Sequence, residues 1–141
     1  MIVLDTNVLS ELVRPAPHRA VINWVDAHDS AELVITALTA AEIRAGVALL
    51  PEGHRKHEIG IRMESLLLET FAGYVLAFDL DSSAYYAEIL TTRTRGGRPI
   101  STFDAQIAVV CRQYESVLAT RITADFADTG VQLVNPWDAK T

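Results

Sequence analysis

Apolar residues fall along this chain in two rhythms, short unbroken runs and stretches repeating at helical spacing, and the two alternate from end to end. Ile2-Val3-Leu4 is a compact run that reads as a buried strand, followed by a short helix that Pro15 and Pro17 end. Val21 and Val25 share one face of a helix from about Ala20 to Ala27, and Leu33-Val34-Ile35 is the next strand. From Thr36 to about Leu50, Ile43, Val47 and Leu50 repeat at helical intervals until Pro51 stops them. Ile59, Met63, Leu66 and Leu67 stripe a longer helix over about Arg55 to Ala72. Val75 to Phe78 is the third strand. Asp81 is placed to cap a helix that Gly96-Gly97 terminates, and Pro99 separates it from a helix over about Thr102 to Tyr114. Val117-Leu118-Ala119 and Val131 to Val134 are the fourth and fifth strands, ahead of Asn135-Pro136-Trp137.

Strands alternating with helices imply βαβ units, hence an α/β fold with a mostly parallel five-stranded sheet and helices on both faces. No repeat, low-complexity tract or linker interrupts the pattern, so residues 1–141 read as a single domain. In such sheets, sites form beyond the carboxyl ends of the strands. That edge is where chemistry should be sought.

Composition narrows the setting. The opening apolar residues stop at Asp5, before a signal peptide could form, and no uncharged stretch reaches the ~18 residues of a membrane span. A cytoplasmic location, away from membranes, is the expectation by elimination. The single cysteine, Cys111, lies in an apolar run and is expected to pack in the core. A net charge of −6 argues against holding nucleic acid by bulk electrostatics. Yet ten of the twelve basic residues are arginines, the better phosphate ligands, and Arg93, Arg95 and Arg98 lie within six positions. They are candidates for holding a substrate backbone, against the plainer reading of a solvated helix end.

Four acids sit where the topology rule points. Asp5 follows the first strand and is equally a helix N-cap. Glu42 belongs to a capping box if Thr39 caps its helix, but lies inside the helix if Thr36 does. Asp104 opens an otherwise apolar helix in Ser101-Thr102-Phe103-Asp104, again with a capping-box alternative, and Asp125 follows the fourth strand as catalytic acid or turn residue. Each has a local explanation; together they fall on one predicted edge. Gathered carboxylates repel and take up protons unless a cation intervenes. Mg²⁺ answers with oxygen ligands and retained waters, and can polarise a phosphodiester. His18, His28, His54 and His57 are scattered and lack zinc spacing.

With these residues in place, the chain resembles the PIN-domain family, and within it the VapC/FitB-like toxin ribonucleases of bacterial toxin–antitoxin pairs. The likeness runs through Met1 to Glu11, Thr39 to Gly46, Gly97 to Ala108 and Leu118 to Arg121, closing with Asn135-Pro136-Trp137. It implies a Mg²⁺-dependent endoribonuclease, with Mn²⁺ a second candidate ion, cutting RNA with metal-activated water to leave a 5′-phosphate and a 3′-hydroxyl. Asp5, Glu42 and Asp104 are then the metal-binding acids, and Thr6, Asn7 and Thr120 orient carboxylates or water. Many relatives carry Asp or Asn just after the Thr-Arg pair; this chain has Ile122, which cannot bind a metal, and Asp125 is the candidate replacement. The resemblance also implies a small antitoxin with a DNA-binding portion, and a homodimer.

Two rivals remain. A PIN fold kept as a binding module would explain Ile122. A haloacid-dehalogenase-like phosphatase also opens with an aspartate, but needs a second acid at position 7, where Asn7 stands, and a lysine, of which only Lys56 and Lys140 exist.

Overall fold

The computed structural model describes residues 1–139, so Lys140 and the end of the expected 1–141 domain lie outside the described residues. Five strands form one sheet: β1 (Ile2–Leu4), β2 (Leu33–Thr36), β3 (Val75–Leu76), β4 (Val117–Ala119) and β5 (Leu133–Val134). Their order is β3-β2-β1-β4-β5, and all four pairings are parallel. The expected mostly parallel sheet is therefore wholly parallel.

Helices α1 (Thr6–Leu12), α2 (Arg19–Asp26), α3 (Ala37–Ala48), α4 (His54–Ser65), α5 (Leu80–Arg95) and α6 (Thr102–Gln113) cover the sheet. Strand alternation decides which face each residue serves. Leu4, Leu33, Ile35 and Ala119 point to a core filled by Val8, Leu9, Val21, Ile43 and Met63, from α1 to α4. Val3, Val34 and Leu118 point the other way, against Ile89, Ile107, Ala108 and Cys111 of α5 and α6. Cys111 is fully buried, as its apolar setting predicts. Among the described residues no helix is long and apolar enough to cross a membrane.

Three boundaries differ from the sequence pattern. Asp79, not Asp81, caps α5: its carboxylate accepts from the Ser82 N–H, while the Ser82 hydroxyl accepts from the Asp79 N–H. The long fourth helix stops at Ser65 and continues as a π turn over Leu66–Thr70, closed by the Phe71 N–H donating to the Leu66 carbonyl at 2.8 Å. The edge strands are shorter than their apolar runs. β2 ends at Thr36, paired with Leu76, so nothing remains for Ala77 and Phe78 to pair with. β5 likewise pairs only with Leu118 and Ala119.

Candidate active site

The carboxyl ends of β1, β2 and β4 lie side by side, and each hands its chain to polar residues at the same edge. Asp5 sits immediately past β1, and its backbone N–H still donates to the Ala119 carbonyl at 2.9 Å. Its extended backbone lets the carboxylate accept from the Thr6 N–H at 2.8 Å, making it the N-cap of α1. The other oxygen, Oδ2, accepts from the Thr120 hydroxyl at 2.8 Å and from Asn7 Nδ2 at 3.4 Å. The capping and functional readings of Asp5 are thus compatible. One oxygen caps while the group as a whole faces the edge.

Thr36 ends β2 and caps α3, accepting from the Thr39 N–H at 3.1 Å. That settles the choice left open by the sequence. Thr39 is not the cap, there is no capping box, and Glu42 lies within the helix. Its exposed carboxylate accepts from the Thr6 hydroxyl at 2.9 Å. Ser101 caps α6, accepting from the Asp104 N–H at 3.1 Å, so Asp104 lies in the first turn of that helix. Asp125 stands on a 3₁₀ turn, Thr123–Phe126, beyond β4.

These elements bring Asp5, Glu42, Asp104 and Asp125 to one cavity of about 460 Å³. Asp5 is buried, and burial pushes its pKa above the usual carboxylate value; the Thr120 hydroxyl and Thr6 N–H oppose the shift, while the charges of Asp104 and Glu42 add to it. The pKa of Asp104 is also raised, first by partial burial, against the Ser101 hydroxyl, with Asp125 adding like charge and Arg93 opposing it. Among the described residues no three His, Cys, Asp or Glu are set closely enough to enclose a metal ion. Mg²⁺ asks for less, since it is commonly held by one or two carboxylates and keeps its own waters. The all-oxygen set of Asp5, Glu42 and Asp104 suits such an ion in donor chemistry, and its mutual repulsion is the kind a cation relieves.

The orienting residues also meet here. Thr120 accepts from Asn7 Nδ2 at 3.2 Å, and Asn7 Oδ1 accepts from the Arg121 N–H at 3.2 Å. Ile122 faces the same cavity, 49% exposed, and Asp125, the candidate replacement for the oxygen it lacks, lines it too.

The arginine cluster needs correction. Arg93 is buried, and its guanidinium donates to the carbonyls of Arg98, Asp125 and Ala127, at 2.5, 2.7 and 2.9 Å. It braces the turn that carries Asp125 and is not available to a substrate. A buried guanidinium needs such acceptors, and the turn carbonyls supply them. Arg95 and Arg98 are exposed, but neither lines the cavity; Arg98 donates to the Ala124 carbonyl at 3.2 Å. The basic residues that do line it are Arg14 and Arg121, alongside Glu11 and Trp137. Sequence reasoning passed over both, because neither belongs to a cluster. The position of Arg121 directly after Thr120 was the available signal.

A wholly parallel α/β sheet with an acid-lined cavity at its carboxyl edge defines the class of this domain. Residues 2–130 match the PIN domain, and the chain belongs to that family. It is 41% identical over 138 residues to "VapC ribonuclease Y4jK" of Sinorhizobium fredii, covering 98% of this chain and 99% of that protein. It is 40% identical over 137 residues to "Toxin FitB" of Neisseria gonorrhoeae, covering 97% and 99%. The solved structure of "FitAB bound to IR36 DNA fragment" superposes with a TM-score of 0.92 at 40% identity, covering 100% of this chain and 99% of its counterpart.

Proposed function

We propose that this chain is a metal-dependent endoribonuclease, one nuclease domain over residues 1–141, acting as the toxin of a toxin–antitoxin pair. The observation that carries the reading is the meeting of Asp5, Glu42, Asp104 and Asp125 on one cavity at the sheet's carboxyl edge. Asp5 is set by Thr120, Asn7 and the Thr6 N–H, and Glu42 by the Thr6 hydroxyl. A preset carboxylate costs no reorganisation when its ligand arrives. Asp5, Glu42 and Asp104 would hold Mg²⁺ or Mn²⁺, which when bound would supply positive charge for the phosphodiester and acidify water. Water oxygen joins phosphorus, the bond to the 3′ oxygen breaks, and a 5′-phosphate and a 3′-hydroxyl result. Arg98, exposed and bonded to the Asp125 turn, and Arg95, exposed at the end of α5, extend a basic margin for the RNA strand.

Relatives described as a VapC ribonuclease and as the toxin FitB, and a neighbour solved as a FitAB–DNA complex, support a small antitoxin partner with a DNA-binding portion. A cytoplasmic location and a homodimer belong to the same reading.

The test pairs chemistry with physiology. Purified wild-type chain should cut RNA with Mg²⁺ or Mn²⁺ and stop with EDTA, and Asp5→Asn should abolish cutting. Expression alone should arrest growth; Asp5→Asn or co-expression of the adjacent small reading frame should relieve it. Full cleavage in EDTA would overturn the metal mechanism. Ile122 on the cavity wall favours a second reading, a PIN-fold binding module, and RNA that is bound but never cut would select it.

A further inference from the structure

Arg121 leaves the end of β4 directly after Thr120, and its side chain lines the carboxylate cavity. Three contacts fix it. Its backbone N–H donates to Asn7 Oδ1 at 3.2 Å, and its carbonyl accepts from Asn135 Nδ2 at 3.4 Å. Its guanidinium lies over the Trp137 ring, 5.0 Å from the centroid. Trp137 lines the same cavity and is itself anchored, its N–H donating to Asn135 Oδ1 at 2.9 Å.

The other arginine lining this cavity, and the two that contact the Asp125 turn, already have partners. Arg14 pairs with Glu11 at 3.1 Å, Arg93 serves three carbonyls, and Arg98 reaches the Ala124 carbonyl. Arg121 forms no ion pair among the described residues, although Asp5, Glu11, Glu42, Asp104 and Asp125 line its cavity. A guanidinium held over an aromatic ring keeps its N–H edge for other partners. A fixed cation that stands among acids without pairing to them is suited to an anion arriving from solvent. Its planar fork matches two oxygens of one phosphate. On a chain with net charge −6, such a cation also offsets the acids' repulsion of a polyanion.

We propose that Arg121, braced over Trp137, holds the non-bridging oxygens of a phosphodiester in the RNA strand at the cavity mouth; this rests on the nuclease reading above. The guanidinium fixes the strand's position relative to the acids; Trp137 braces the guanidinium, and Asn7 holds the backbone that carries it.

The experiment measures binding apart from turnover. Labelled single-stranded RNA is titrated at several salt concentrations against Asp104→Asn chain, so that none is cut, with and without Arg121→Gln or Arg121→Lys. Arg121→Gln should weaken binding about tenfold, as for one charge-assisted bond. It should also lower the slope of log affinity against log salt by about 0.7, the value for one phosphate contact on a single strand. Arg121→Lys, which keeps the charge, should retain that slope. An unchanged slope in Arg121→Gln, with wild-type chain binding and cutting RNA normally, would overturn this assignment and leave the nuclease reading standing. Wild-type chain that neither binds nor cuts RNA would overturn both. An unchanged slope with lost retention of a co-expressed partner protein would give Arg121 to that interface instead.

Discussion

The hydroxyl of Thr120 donates to Oδ2 of Asp5 at 2.8 Å, joining residues 115 positions apart. The bond ties together the ends of β4 and β1, which are adjacent parallel strands. The same hydroxyl oxygen accepts from Asn7 Nδ2 and from the Ile122 N–H, both at 3.2 Å, so its single proton is directed at the carboxylate. A threonine with no exposed surface thus aims the acid that begins the site.

Thr120→Val keeps the shape and deletes that proton. The ionised form of Asp5 loses a donor, so a pKa already raised by burial should rise further. RNA cleavage should fall by about 10–100-fold, the usual cost of losing a group that orients a metal ligand. The acidic limb of its pH–rate profile should move to higher pH. Thr120→Ser should restore both. A profile that stays in place in Thr120→Val would show that the hydroxyl does not tune Asp5.

Removing charge from the cluster should stabilise the metal-free chain at neutral pH. The folded pKa of Asp104 is raised by burial and by Asp125. Well below the unfolded pKa both states are protonated and the group costs nothing; as pH rises, the unfolded state loses its proton first, and the stability is gone once pH has passed the folded pKa. Asp104→Asn in EDTA should therefore raise Tm at pH 7 by about 1–3 °C and leave it unchanged near pH 3. Asp5→Asn should gain less, because both Asp5 oxygens accept hydrogen bonds that a single amide oxygen cannot replace. Thermal scans at the two pH values check both signs.

Asp125 and Ile122 form a graded test of the fourth position. Asp125 is exposed on a 3₁₀ turn, whereas Asp5 is buried and bonded on both oxygens. Asp125→Asn should reduce RNA cleavage by less than Asp5→Asn, Glu42→Gln or Asp104→Asn, each of which should lose orders of magnitude. Ile122→Asn, which puts an oxygen on the cavity wall, should preserve or raise activity. Equal losses at Asp125 and Asp5 in one cleavage assay would make Asp125 a full member of the set.

Cys111 offers a control on the fold. Burial pushes its thiol pKa up to about 12, with Ser116 opposing the shift. The thiolate that reacts with disulfide reagents is then scarce and inaccessible. Folded chain should show no reactive thiol at pH 8, and denatured chain one per molecule. A rapid reaction in the folded state would contradict the packing of α6 against the sheet.

The sequence by itself determined the alternation of strands and helices, because burial imposes a period of two or 3.6 on residues that are neighbours in the chain. It also placed Asp5, Glu42, Asp104 and Asp125 on one edge, since the ends of parallel strands collect there by topology. Boundaries were less legible. Ala77 and Phe78 look like strand, but only the early end of β2 at Thr36 deprives them of a partner. The fate of individual side chains belonged to the tertiary structure. Arg93 reads as a substrate ligand in its sequence neighbourhood, yet carbonyls of residues 32 and 34 positions away enclose it. Arg121 has only its place after Thr120 to mark it, yet Trp137, from beyond β5, lies beneath it. Local patterns record whether a residue is buried. They do not record which distant donor or acceptor it meets, because that partnership arises only when separate elements pack.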